Sequence, residues 1–172
     1  MLIKRLASIL VVAISNQNQQ LATAFRPRMQ TVSVVALCPP EKVWGIYRQQ
    51  HWEQWDHDIK TMKPLDEAAR FVAGAQLSIE MKDGKTHVAT LRDVVENKCF
   101  TYTAPLPGST MVATHTLEQV EGGGTRITHS FDFTGIVMGG LFRWLTRDYV
   151  ENGLNTNTAA LKAMSEAEVN SS

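Results

Sequence analysis

Five histidines occur in the 172-residue chain, and two of them, His115 and His129, stand where an imidazole can meet a small molecule. His129 is in phase with Ile127, Phe131 and Phe133, while Thr128, Ser130 and Asp132 take the alternate positions, so its side chain points to the apolar side of a strand. His115 shares parity with Leu117, and the hairpin signal Gly122-Gly123-Gly124 sets it diagonally across from His129. Two inward imidazoles on adjacent strands can orient a polar head group, or one can act as general base for enolisation and dehydration. A pair of core histidines satisfied by threonine or water would carry the same pattern.

Other polar clusters carry less chemistry. The stretch His51 to Asp58 is rich in His, Asp and Glu, but its interleaved Trp52 and Trp55 read as packing residues in a loop, and no third ligand accompanies His115 and His129. No metal site and no cofactor are expected. Glu80 and His87 flank the turn Asp83-Gly84 and read as a solvent-facing pair, and Arg92 has ambiguous parity. The triple glycine lacks the Lys-Ser/Thr and helix of a phosphate loop, and no GxSxG nucleophile elbow occurs. Cys38 and Cys99 form no CxxC pair, which signals neither a disulfide framework nor structural zinc. Asn170-Ser171-Ser172 matches a glycosylation sequon at the chain end.

The elements that must position these residues follow from periodicity. Thr31 to Leu37 is a Val- and Thr-rich strand stopped by Cys38-Pro39-Pro40-Glu41, which opens a helix with Val43, Ile46 and Tyr47 on one face. A second short helical piece is expected around His51 to Trp55. From Ile59 to Thr134, turn signals at Ala73-Gly74, Asp83-Gly84, Asn97-Lys98, Pro107-Gly108 and Gly122 to Gly124 separate strands in successive antiparallel hairpins. Leu77, Ile79 and Met81 alternate with polar residues, so one sheet face is apolar and needs a cover. A helix over 141–167, about 40 Å long at 1.5 Å per residue, supplies it through Leu141, Leu145, Tyr149 or Val150, Leu154, Leu161 and Met164. Gly153 and Asn155 to Thr158 are poor helix formers and mark a bend or soft turn there.

Composition agrees with one α+β domain: 44% hydrophobic, 20% charged, and 17 basic against 17 acidic residues without a basic stripe, which disfavours nucleic acid as a partner. Residues 1–24 read as a cleavable signal, with Lys4 and Arg5 before the apolar run Leu6 to Ile14 and a small-x-small site at Ala22-Thr23-Ala24. The run is shorter than the roughly 20 residues a spanning helix needs, so no stable membrane span is expected in the mature protein. Phe25, Arg26 and Arg28 then form a short basic linker, 25–29, before a domain over 30–168 and a disordered tail, 169–172. The junction Ala22 to Pro27 also resembles bipartite presequences of algae with secondary plastids. Export, as a secreted or periplasmic protein, and import into such a plastid both remain open.

The order Pro40-Glu41-Lys42-Val43-Trp44, Trp52 with Trp55, Gly123 to Thr128, and Gly153-Leu154 through Leu161-Lys162-Ala163-Met164 with Glu166 resembles the START-like or Bet v 1-like (SRPBCC) superfamily, in its polyketide cyclase/dehydrase and lipid-transport group. The resemblance spans residues 31–168. It implies a helix-grip fold, in which a seven-stranded curved antiparallel sheet wraps a long C-terminal helix, with two short helices after the first strand. It also implies a tunnel for a lipid, isoprenoid, pigment or polycyclic compound. Strand parity and the inner helix face give the lining as Leu77, Ile79, Met81, His115, Leu117, His129, Phe131, Phe133, Trp144 and Tyr149, with His115 and His129 the catalytic candidates. Binding or transport is one reading; a polyketide cyclase, aromatase or dehydratase using the same cavity is the alternative. Oligomeric state is not legible.

Overall fold

The structure, a computed structural model, describes residues 29–48, 52–69, 71–135 and 137–170. The expected targeting segment 1–24, the expected linker residues 25–28, His51 and residues 171–172 lie outside them.

Seven strands form one antiparallel sheet: β1 (Gln30–Ala36), β2 (Ile59–Pro64), β3 (Gln76–Met81), β4 (Thr86–Val95), β5 (Cys99–Leu106), β6 (Ser109–Gln119) and β7 (Thr125–Phe133), in the spatial order β1-β7-β6-β5-β4-β3-β2. Consecutive strands β2 to β7 are neighbours, as short connections dictate, and only β1 crosses over to pair with β7. Helix α1 (Pro40–Arg48) leaves β1 with a proline at its first position, where the missing N–H costs nothing. The second helical piece is a single 3-10 turn, Trp52–Gln54. It is pinned by Trp55 N donating to the Trp52 carbonyl at 3.1 Å and by Trp52 Nε1 donating to the Tyr47 carbonyl at 3.0 Å.

Burial alternates along the strands as the residue pattern requires: Leu77 and Ile79 on β3, Phe100, Tyr102 and Ala104 on β5, Ala113, His115 and Leu117 on β6, Ile127 and His129 on β7. The bulge between Arg92 and Val95, with Asp93 at a φ of 49°, leaves Arg92 outside, its Nε 3.3 Å from Thr103 Oγ1. Cys38 is buried, and both cysteines are free thiols.

Helix α2 (Met138–Asn170) has 33 residues, a length of about 50 Å, and is continuous through Gly153 and the polar run after it. Asn155, Thr156 and Thr158 donate side-chain hydrogen bonds to the carbonyls four residues back, so these poor helix formers stay within the helical frame. The C-terminal half buries Asn157, Thr158, Leu161 and Ser165. Near its end Lys162 Nζ donates to the Val35 carbonyl and to Glu166 Oε1, both at 2.7 Å, and Glu166 Oε1 accepts from Leu37 N at 2.8 Å. These bonds clamp α2 to the end of β1. The Lys162 ammonium, with the Leu37 amide, holds the Glu166 carboxyl below its usual range.

The N-terminal half of α2 is rotated differently from the seam read in the sequence. Leu141, Trp144, Leu145 and Tyr149 are exposed, and Phe142, Arg143, Thr146 and Val150 turn toward the sheet. Arg143 Nη1 reaches Asp132 Oδ1 at 3.0 Å and the Phe133 carbonyl.

Candidate functional site

Between the sheet and the Tyr149–Asn157 section of α2 lies a cavity of about 280 Å³. Its wall is apolar over most of its extent: Ile59, Ile79 and Met81 on one side, Ala104, Leu106, Met111 and Ala113 across the middle, Phe131 and Phe133 on β7, and Val150 and Leu154 on the helix. The small side chains Ala104 and Ala113 sit in mid-sheet, where larger ones would fill the space. A concave apolar chamber with few polar groups is the general form of a small-molecule site.

The polar groups on its wall are specific. His115 and His129 are direct cross-strand partners, opposite one another and not diagonal, with ring centroids 4.3 Å apart. Tyr47 of α1 meets His129 Nε2 through its hydroxyl at 2.8 Å. The arrangement that strands no buried phenolic proton has Tyr47 O–H donating to Nε2, which puts the ring proton of His129 on Nδ1. His115 is stacked on Phe100, with centroids 4.4 Å apart and planes 4° apart, and lies 5.7 Å from Tyr102. Burial pushes the His129 imidazolium down to about 3. It pushes that of His115 well below the ordinary range, helped by the neighbouring His129. Both rings are therefore neutral at pH 7. Burial also raises the Tyr47 and Tyr102 phenols, so both keep their protons.

The rim toward α2 is built by the turn Asp56-His57-Asp58. Asn157 Oδ1 accepts from His57 N at 3.0 Å and lies 2.7 Å from His57 Nδ1, and Asp58 N donates to Asp56 Oδ1 at 3.0 Å. Gly153 lets the helix come this close, since a Cβ there would stand 3.4 Å from His57 Cε1. Donor atoms of Asp56, His57 and Asp58 gather within 4.8 Å of one another, but they are engaged with each other and with Asn157, as a self-capped turn requires. Burial lifts the Asp56 carboxyl above its normal range.

Of the residues read from the sequence, Ile79, Met81, His115, His129, Phe131, Phe133 and Tyr149 line this cavity. Leu77 and Leu117 face inward but are packed in the closed core, Leu117 opposite Ile127, because parity assigns a face and not a level along the strand. Trp144 is 76% exposed and borders a separate groove of about 840 Å³ between β1 and α2, outside the cavity. Phe131, Phe133 and Val150 belong to both walls and partition the two spaces. Glu80 and His87 are not a pair: Glu80 binds Lys60 Nζ at 2.7 Å, while His87 lies opposite inward-facing Ile79 and lines the cavity. Trp55, Asp56, Asp58, Tyr102 and Asn157 also line the cavity, and of these only Tyr102 carries a sequence signal for it, its alternation with Phe100 and Ala104.

The sequence profile of the family described as polyketide cyclase / dehydrase and lipid transport matches residues 26–166, and the chain belongs to that family. No curated protein matches the chain. Solved structures share its fold. A hypothetical protein of Helicobacter pylori superposes with a TM-score of 0.66 at 13% identity, covering 83% of this chain and 93% of its own. A protein of Thermus thermophilus gives 0.62 at 16% over 82% and 99%, and the protein XoxI of Bacillus cereus gives 0.58 at 22% over 79% and 94%. At these identities the likeness is one of fold.

Proposed function

We propose that the domain binds a hydrophobic small molecule in the cavity between sheet and α2 and carries it without chemical change. The observation that supports this reading most is the cavity itself, an apolar chamber whose only wall imidazoles, among the described residues, are His87 at the rim and two buried neutral rings. A general base works best with a pKa near the operating pH. His129, held near 3, is a hydrogen-bonding group and a feeble base. The cyclase or dehydratase reading is favoured by one feature, the two imidazoles side by side on the wall, and it requires His129→Ala to abolish turnover of a polyketone substrate while ligand affinity stays.

Titration with the neutral fluorophore N-phenyl-1-naphthylamine tests the proposal. One dye per chain is expected, with binding lost in a folded Phe131→Asp variant, because a charge on the cavity wall has no partner there. Undiminished binding by that variant removes Phe131 from the site. For the N-terminus we propose cleavage after Ala24 and residence outside the compartment of synthesis. N-terminal sequencing of protein from its own source should begin at Phe25, and a first residue of Met1 contradicts it.

A further inference from the structure

Two buried side-chain nitrogens on residues of the cavity wall have no hydrogen-bond partner among the described residues: Trp55 Nε1 and His115 Nδ1. Buried polar atoms are nearly always satisfied, and an orphan marks a place where a water, ion or ligand belongs. Here two orphans belong to neighbouring rings, with centroids 6.3 Å apart and planes at 75°. An oxygen at hydrogen-bond distance from both requires nitrogens no more than about 5.8 Å apart, a condition compatible with the ring separation, and because neither nitrogen has open surface a bound oxygen must push neighbouring wall atoms slightly aside. Neither ring is free to turn away. Trp55 packs against Trp52, Tyr47 and His129, and His115 is held between Phe100 and Tyr102.

We infer that Trp55 Nε1 and His115 Nδ1 together form a polar anchor for one hydroxyl group of an otherwise apolar ligand, the class of neutral alcohols and phenols with a ring or chain body. The inference rests on the cavity being a binding site. An indole N–H can only donate, so the ligand atom must accept. With the His115 ring proton on Nε2, its Nδ1 accepts, so the same ligand atom must also donate; with the proton on Nδ1, both nitrogens donate to it. A hydroxyl satisfies either tautomer, a ketone or ether only the second, and a hydrocarbon neither. A carboxylate would add an anion to a wall that already carries Asp56 and Asp58 and offers no cation.

Displacement of N-phenyl-1-naphthylamine by three bicyclic probes of one shape tests this in the full chain: 2-naphthol, 2-methylnaphthalene and 2-naphthoate. The methyl probe reads occupation of the cavity alone. 2-Naphthol should bind about tenfold more tightly than 2-methylnaphthalene, the combined worth of two modest neutral hydrogen bonds, and 2-naphthoate more weakly than either. Trp55→Phe and His115→Phe should each erase most of the naphthol preference and leave the affinity for 2-methylnaphthalene within about twofold. Equal affinity for naphthol and methylnaphthalene, or a preference that survives both variants, overturns the anchor while the cavity reading stands. Naphthoate binding as tightly as naphthol overturns the neutral head group. Failure of all three probes to bind the wild-type chain overturns the cavity reading and the anchor with it. Should Trp55→Phe fail to fold, judged by circular dichroism, His115→Phe decides alone.

Discussion

Tyr47 and His129 join α1 to β7 through one buried hydrogen bond, and the energetics of that bond depend on what either partner becomes when the other is removed. Tyr47→Phe leaves His129 Nε2 buried with no donor, which should lower unfolding free energy by about 1–3 kcal/mol. In a His129→Leu background the same change should cost much less, and a denaturant double-mutant cycle reads the difference. The neutral imidazoles also set a pH dependence. A buried histidine with a depressed pKa binds fewer protons folded than unfolded once the pH falls below the unfolded value of about 6.5, so stability is full above that pH and is lost as pH falls toward the folded value, about 3 for His129. Each such ring contributes a slope of at most about 1.4 kcal/mol per pH unit in this window. Asp56, whose folded pKa is raised by burial, acts in the opposite sense and reduces the slope. The urea midpoint should therefore fall between pH 7 and pH 5, and His115→Phe should remove roughly half of that fall. A flat profile in the wild type contradicts neutral burial of the pair. The inward direction of both histidines was legible from strand alternation. The Tyr47 partner, 82 residues from His129, was not, because periodicity assigns faces and carries no information on which long-range pair meets.

At the scale of elements, α2 shows where periodicity stops deciding. Its N-terminal half has two apolar stripes at helical spacing, Leu141-Leu145-Tyr149 and Phe142-Val150-Leu154, and either satisfies a 3.6-residue period. The choice is made by contacts outside the helix: Gly153 against His57, Asn157 bonded to His57, and Arg143 to Asp132 and the Phe133 carbonyl. These turn Trp144 out and Val150 in. Trp144→Ser should accordingly change stability by no more than about 0.5 kcal/mol, whereas Leu161→Ala, at a site with no exposure, should cost about 2–5 kcal/mol. A large loss in Trp144→Ser by thermal or urea unfolding would show that the first half of α2 packs its other face. The same limit explains Leu77 and Leu117. Alternation placed them inward, but the depth at which the sheet closes on the helix is set by packing of the whole core.

For the whole molecule, the succession of hairpins and the long final helix were legible because turn signals carrying Gly, Asp or Asn separate the strands, whereas the crossover that pairs β1 with β7 was not. The helix-grip architecture and family membership follow over residues 26–166. The cavity was legible only as a consequence of that architecture, since its volume depends on Ala104 and Ala113 standing opposite the Tyr149–Asn157 section of α2. The central claim is that a hydrophobic ligand enters this interior space. Methyl NMR on protein carrying labelled methionine tests it most directly, because Met81 and Met111 line the cavity, Met29 borders the outer groove, and Met164 packs against the core. On titration with 2-methylnaphthalene, the Met81 and Met111 signals should shift together and saturate at one ligand per chain while Met29 and Met164 stay in place. Shifts confined to Met29, or no saturable shift at Met81 and Met111, would contradict the account.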